Sequence, residues 1–285
     1  MANLFSGLEA FGLGKLSKME VYDEKGKNEE KEIVKEEKAI SPEGDAIFDK
    51  SYTCPVCDKE FKSKMIKSGK VKLLTLDTDL RPRYQYVDSL KYDAVACPHC
   101  GYAALNRFFS YVSSTQAKLI KENISSSFKG LNETCEILSY DEAIARHKLA
   151  LVNAIVKRAK VSERAYTCLK IAWLLRGKAE ALIEDTPDYE DVINNLQSEE
   201  LEFILNAYEG FVEAFSKEIF PMCGMDENTS TYLVADLARR VSRFDEAGRW
   251  VSKVLISRDA NERIKSKARE IKEFIKQRES NYSGK

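Results

Sequence analysis

Two cysteine pairs, Cys54-Pro55-Val56-Cys57 and Cys97-Pro98-His99-Cys100, are the residues of this chain best spaced for chemistry. Two thiols two residues apart are aimed by one tight turn at a single ion. A second such turn, brought alongside, completes a tetrahedral shell of four thiolates. That shell has no vacant position for substrate or water, so it holds structure together and performs no reaction. Gly101 follows the second pair and can take the left-handed backbone that turns amides toward sulfur. Asp58 stands at the equivalent place in the first pair and tolerates that conformation less well.

Zinc, in a structural role, is the metal expected of Cys54, Cys57, Cys97 and Cys100. Iron is the second choice, because rubredoxin knuckles carry glycine after both pairs and Asp58 departs from that. His99 lies inside the second turn and is expected to face solvent. The other histidine, His147, sits at a bulky helical position and is expected to be packed and not a ligand.

Asp77-Thr78-Asp79-Leu80-Arg81-Pro82-Arg83-Tyr84 is the most unusual stretch without cysteine. Asp77 and Asp79 fall on one side of a strand, with Arg81, Arg83 and Tyr84 close behind. Two carboxylates suit acid–base work or a second metal, so an enzyme built on Asp77, Asp79, Arg81 and Arg83 is one alternative. No histidine or lysine is placed to complete such a set. Local pairing of the carboxylates with Arg81 and Arg83 about a turn is the simpler expectation, and no catalytic residue is assigned. Residues 59–72 hold six lysines against one acid. Lys62, Lys64, Lys67, Lys70 and Lys72, with Phe61, Tyr84, Tyr86 and Tyr92, are raw material for phosphate contact and base stacking. A nucleic-acid-binding regulator is therefore a second alternative.

The elements that position these residues fall into distinct stretches. Residues 1–22 carry Leu4, Phe5, Leu8 and Phe11 among glycines, which reads as a docking segment. Residues 23–45 hold nine acids and five bases with little apolar surface, which reads as a charged, disordered linker. Residues 46–102 form a zinc-ribbon-like domain, with β-type runs at 71–76, 84–87 and 92–96, a turn at Arg81-Pro82, and one small antiparallel sheet.

From 103 to 285 the periodicity is helical, and no further strand is expected. Helices are expected at 141–157, at 162–176 with Ser162 as N-cap, and at 199–220. Three more follow at 230–241, 245–256 and 260–278, the last with Ile264, Ala268, Ile271 and Ile275 on one stripe. One phrase recurs: Ala143/His147/Ala150/Leu151, Ala207/Phe211/Ala214/Phe215 and Ala247/Val251/Val254/Leu255. It resembles the second helix of a tetratricopeptide repeat, where the small residues admit a partner helix. The copies are unevenly spaced, with an insertion near 178–198. The fold class expected is α+β, mostly α: a small four-cysteine ribbon followed by an irregular α-solenoid whose groove takes a protein or peptide partner.

The chain has 285 residues, 44% apolar and 32% charged, with a formal net charge of −1. No global field favours nucleic acid or an acidic membrane. Cys135, Cys168 and Cys223 are scattered through helical segments, which suits a reducing cytosol better than a disulfide framework. The N-terminus has no cationic lead, and no apolar run approaches the ~18 residues needed to span a bilayer. A cytoplasmic protein without a membrane partner is expected.

The segments YTCPVCDKEF, DTDLRPRY and YDAVACPHCGYAA, between Tyr52 and Ala104, resemble a bacterial family common among Firmicutes, domain of unknown function 2225. The likeness extends through the leader NLFSGLEAFGLG and the stretches YDEAIARHKLALVNAIVKRAK and SERAYTCLKIAWLLR. It implies a zinc-ribbon-like part joined to tetratricopeptide-like helices, with no assigned activity. Cys54, Cys57, Cys97 and Cys100 match that family's cysteine pairs, and Asp77, Asp79, Arg81, Pro82 and Tyr84 its central motif. The function expected is a non-enzymatic protein–protein adaptor.

Overall fold

A computed structural model describes residues 42–131 and 136–283, all within one compact unit spanning 40–285. The docking segment expected at 1–22, the linker as far as residue 41, and Cys135 lie outside the described residues.

Each cysteine pair is the connection of a hairpin. A one-turn helix, α1 (Pro42–Ala46), occupies the end of the stretch expected to be linker and leads into β1 (Ile47–Thr53). β1 pairs antiparallel with β2 (Glu60–Ile66), Thr53 opposite Glu60, so Cys54–Cys57 forms the tip. β5 (Ala94–Ala96) pairs with β6 (Ala103–Leu105), Ala96 opposite Ala103, so Cys97–Cys100 forms a second tip. Between them β3 (Leu73–Leu76) pairs with β4 (Pro82–Tyr84) around the Asp77–Arg81 loop.

The expected single sheet is instead three separate two-stranded hairpins. A two-stranded hairpin is marginal alone in water, so each must lean on something else. Pro82 begins a strand and does not sit in the turn, which is tolerable because β4 has only one neighbour and an open edge. The strand expected at 84–87 stops at Tyr84, because Tyr86 has a left-handed backbone (φ 66°). A strand also forms at 103–105, where helix was expected, because those three residues are buried against β5.

Helical structure begins with α2 (Ser114–Ile120), started by a Ser113/Gln116 capping box and prolonged by a wide turn at Lys121–Ser125. α3 (Tyr140–Val156) starts with the same device, Ser139 with Glu142. Then come α4 (Val161–Ala181), α5 (Tyr189–Lys217), α6 (Glu227–Arg240), α7 (Phe244–Ile256) and α8 (Glu262–Ser283), each packed on the next. Two expectations need correction. The insertion at 178–198 is the end of α4, a short loop and the first turns of α5. Ser162 is not an N-cap; it lies inside α4, and its backbone N and Oγ both donate to Glu218 (3.0 and 2.5 Å).

Leu169, Trp173, Tyr208, Phe211, Tyr232 and Val251 fill the helical core, each worth about 1.5–3 kcal/mol of apolar burial where aliphatic or phenyl. Ile264, Ala268, Ile271 and Ile275 bury the expected stripe of α8. The small residues of the recurring phrase are buried in all three copies, but in α3 they divide between two partners. Ala143 faces the helical core, whereas Ala150 packs with Ala96 and Ala103 of the β5–β6 hairpin. No helix among the described residues is long and apolar enough to cross a membrane.

Candidate metal centre and the arginine–carboxylate network

The two hairpin tips meet. Sγ of Cys54 is 3.5 Å from Sγ of Cys100, Sγ of Cys57 is 3.7 Å from Sγ of Cys97, and all four lie within 4.8 Å of one another. These gaps are far beyond a disulfide bond of ~2.05 Å. Four sulfurs at ~2.3 Å from a central ion would stand ~3.8 Å apart, so the cluster has the size of a tetrahedral thiolate shell. The four cysteines can hold a metal ion.

The tips are built alike, residue by residue. The amide of Cys54 donates to Lys59 O (3.0 Å) and that of Asp58 to Cys54 O (2.9 Å). In the second tip Cys97 donates to Tyr102 O (2.8 Å) and Gly101 to Cys97 O (3.1 Å). Asp58 (φ 60°) and Gly101 (φ 73°) both take the left-handed backbone, as the sequence led us to expect. The amides of Val56 and Cys57 bond to the Cys54 sulfur, and those of His99 and Cys100 to the Cys97 sulfur.

Groups far along the chain hold this centre. Tyr52, Phe61, Phe109 and Tyr102 form a chain of ring contacts at 4.9–5.9 Å beside the cysteines. Ser125 Oγ donates to Cys100 O (2.8 Å), and Asn153 of α3 donates to Gly101 O (2.9 Å). Neither Ser125 nor Asn153 was singled out in the sequence, since nothing local marks them. His99 is exposed as expected, with Nε2 3.3 Å from Glu60 O.

Without a cation the four sulfurs cannot all ionise. Hydrogen bonds from Cys100 and then Cys54 pull the Cys97 thiol far below its ordinary range, while those same contacts, to Cys54 and then Cys97, push Cys100 far up. A divalent cation held by Cys54, Cys57, Cys97 and Cys100 would relieve this conflict, because it would take the place of the thiol protons.

The Asp77–Tyr84 stretch forms a different assembly. Locally, Arg83 grips Asp77 with Nε and Nη2 (2.8 and 2.7 Å), as expected. The remaining charges reach the helices. Asp79, fully buried, is held by Arg176 of α4 (2.6 and 3.2 Å) and by Arg240 of α6 (3.5 Å). Arg81, 3% exposed, pairs with Glu180 (3.0 Å) and Asp88 (3.3 Å), and Arg83 also binds Glu180 (2.5 and 2.7 Å). Arg176 adds Asp77 (3.3 Å) and Glu200 of α5 (2.7 Å). Between the two aspartates Thr78 donates to Asp236 (2.8 Å), and Tyr232 donates to its carbonyl (2.5 Å).

Burial alone would raise the Asp79 carboxyl, yet Arg176 and Arg240 more than offset it and hold it below the usual carboxylate range. The loop is thus stapled directly to α4 and α6, and Arg176 carries the network on to Glu200 of α5. Tyr84 is half-buried and, with Arg81 and Arg83, lines a cavity of about 360 Å³; Asp77 and Asp79 are not among its walls. Arg176, Glu180, Glu200 and Asp236 escaped the sequence reading because they lie roughly a hundred residues or more downstream of the motif.

Of the basic residues, Lys64 pairs with Asp49 (2.8 Å) and Lys67 donates to Asp45 O (2.9 Å), while Lys62, Lys70 and Lys72 are exposed. His147 is fully buried with Nδ1 2.7 Å from Ala143 O. Cys168 is buried, and the half-buried Cys223 donates its thiol to Ser162 O (3.2 Å).

Residues 47–275 match the model of a family described as "Uncharacterized protein conserved in bacteria (DUF2225)". The chain belongs to the DUF2225 family. No curated protein and no solved structure matches it. In this DUF2225 chain the matched span takes in all four cysteines, the Asp77–Tyr84 loop and the helices that staple it.

Proposed function

We propose that this DUF2225 protein is a non-enzymatic adaptor in which a structural zinc ion stiffens the β hairpins and the helices present a groove to a protein partner. The observation that carries the reading is the closed set of four sulfurs within 4.8 Å of one another. Zinc suits that set because it is redox-inert and prefers four thiolates in a tetrahedron. When bound it supplies no reaction here; it holds Cys54, Cys57, Cys97 and Cys100 together and links two hairpins that are marginal alone. The alternative enzyme at Asp77, Asp79, Arg81 and Arg83 is disfavoured because each of those charges is engaged by a protein partner and Asp79 has no exposure. Helices packed each on the next suit the solenoid-like groove of an adaptor.

Removal of the metal with a chelator tests the reading. The expected result is loss of near-ultraviolet dichroism from Tyr52, Tyr102, Phe61 and Phe109, with far-ultraviolet helical signal largely kept. Unchanged near-ultraviolet dichroism in metal-free protein would overturn the structural role of the ion. A steep fall of RNA or DNA affinity with salt at Lys62, Lys70 and Lys72 would instead favour the nucleic-acid reading.

A further inference from the structure

In the 360 Å³ cavity beside the Asp77–Tyr84 stretch, Arg81, Arg83 and Lys91 are all paired with carboxylates. A second cavity, of about 500 Å³, is built differently. It opens where parts distant along the chain meet: Ile66 of β2, Leu73 of β3, Tyr84 of β4, Leu90 of the turn Ser89–Tyr92, and Lys170 of α4. Most of its wall residues are apolar, and Leu73 is 47% exposed.

One ion pair lines this cavity. Lys170 Nζ lies 2.9 Å from Asp93 Oδ2; the lysine is almost fully buried, whereas the Asp93 side chain keeps 30% exposure. Burial raises the Asp93 carboxyl, but Lys170, His147 and Arg107 more than offset it and hold it below the usual carboxylate range. Burial likewise opposes the Lys170 charge, but Asp93 and Tyr166 overcome it, so both partners are ions. Each charge answers the other. A carboxylate entering the cavity would meet Asp93, and an ammonium would meet Lys170.

The pair is balanced in charge but not in hydrogen bonds. Asp93 Oδ1 accepts no hydrogen bond among the described residues. Of the three Lys170 ammonium protons, Asp93 and Tyr166 take two, and the Trp173 ring centre lies 5.2 Å from the nitrogen. Ser89 and Tyr84 add hydroxyls without a protein partner among the described residues. One acceptor and one donor are thus left on the same ion pair, in an apolar chamber. A hydroxyl suits them, because its single oxygen both donates and accepts. Apolar walls with a few convergent polar groups, at this volume, are the build of a small-molecule site.

We infer that this cavity binds an uncharged alcohol with an apolar body, its hydroxyl donating to Asp93 Oδ1 and accepting from Lys170 Nζ. The body lies against Ile66, Leu73 and Leu90. The site goes beyond the adaptor reading and does not rest on it.

The test uses the intact metal-loaded protein and protein-observed NMR. The probes share one apolar body: 4-phenylbutan-1-ol, 4-phenylbutanamide, 4-phenylbutanoate, 4-phenylbutan-1-amine and butylbenzene. Hydrogen bonds to charged partners predict that the alcohol binds about tenfold more tightly than butylbenzene or either ion, with shifts at Ile66, Leu73 and Ser89. Asp93→Asn leaves Lys170 uncompensated and should turn the preference over to 4-phenylbutanoate; thermal melts check that it folds. Leu73→Glu, at a partly exposed position, should weaken the alcohol and butylbenzene alike, and it serves where Asp93→Asn fails to fold. Butylbenzene binding as tightly as the alcohol, or tighter binding of the amide or of either ion, would overturn this site. So would an alcohol preference that survives Asp93→Asn, indifference to Leu73→Glu, shifts confined to another face, or no shifts with the alcohol at its solubility limit. Each of these leaves the adaptor reading to its own test.

Discussion

Replacing Asp79 with asparagine should destabilise the protein more than any conservative change elsewhere in the Asp77–Tyr84 loop. The carboxylate is fully buried, and both oxygens are occupied: Oδ1 by Arg176 Nη1 and the Arg81 amide, Oδ2 by Arg176 Nη2 and Arg240. Asparagine keeps the shape, removes the charge and sets an amide donor against a guanidinium donor. Removing one partner of a buried ion pair costs about 3–5 kcal/mol. Arg176 retains Asp77 and Glu200, so the lower end applies, about 3 kcal/mol. At ~2–4 °C per kcal/mol for a domain of this size, that is a fall of ~6–12 °C in Tm.

The same carboxyl is held below its ordinary value of 3.8 when folded. Its contribution is therefore complete above the unfolded value and disappears as pH falls through the lower folded value, so Asp79→Asn should flatten the acid limb of the stability profile. Calorimetry of the metal-loaded protein from pH 7 downward reads both effects. Adding Arg176→Met to Asp79→Asn should cost less than the sum of the single changes, because the two are in contact. A variant within 1 kcal/mol of wild type with an unaltered acid limb would refute the staple.

Two further outcomes follow from the same physics. Gly101→Ala should lower the Tm of the metal-loaded protein, since φ is 73° and the new Cβ would lie 2.7 Å from the Phe128 ring, whereas Asp58→Gly at φ 60° should be neutral or ~1 kcal/mol stabilising. Thermal melts that show alanine tolerated at 101 would contradict the knuckle geometry. Burial lowers the His147 pKa from 6.5 to about 4 against the pull of Asp93, with Lys170 and Asp88 also acting on it. Its contribution is whole above pH 6.5 and falls by about 3 kcal/mol as pH drops toward 4. His147→Met should remove that slope from a urea-denaturation series, and an unchanged slope would refute the assignment.

What could be read from the sequence was what is local. A two-residue cysteine spacing forces a tight turn, so the clustering of the four sulfurs and the left-handed Asp58 and Gly101 were legible. The stripe Ile264, Ala268, Ile271 and Ile275 was too, because helical periodicity needs no partner to be seen. β1 and β2 were not: β2 buries Phe61 and Ser63 alternately among lysines, so its inward face includes a polar residue. β6 is Ala-Ala-Leu, with little intrinsic strand preference, and exists because β5 and α3 cover it. The partners of Asp79 and Arg81 lie 97 to 161 residues away in the case of Arg176 and Arg240 for Asp79, and 99 for Glu180 with Arg81. A single sequence carries no signal at that range.

The central claim is that the two hairpin tips share one metal ion through four sulfurs. Metal analysis joined to X-ray absorption at the zinc edge, on protein purified without added metal, tests it most directly. One zinc per chain with four sulfur neighbours at ~2.3 Å and no oxygen or nitrogen neighbour is the predicted result. A shell containing water or histidine, or a metal-free protein whose four thiols are oxidised in pairs, would contradict it.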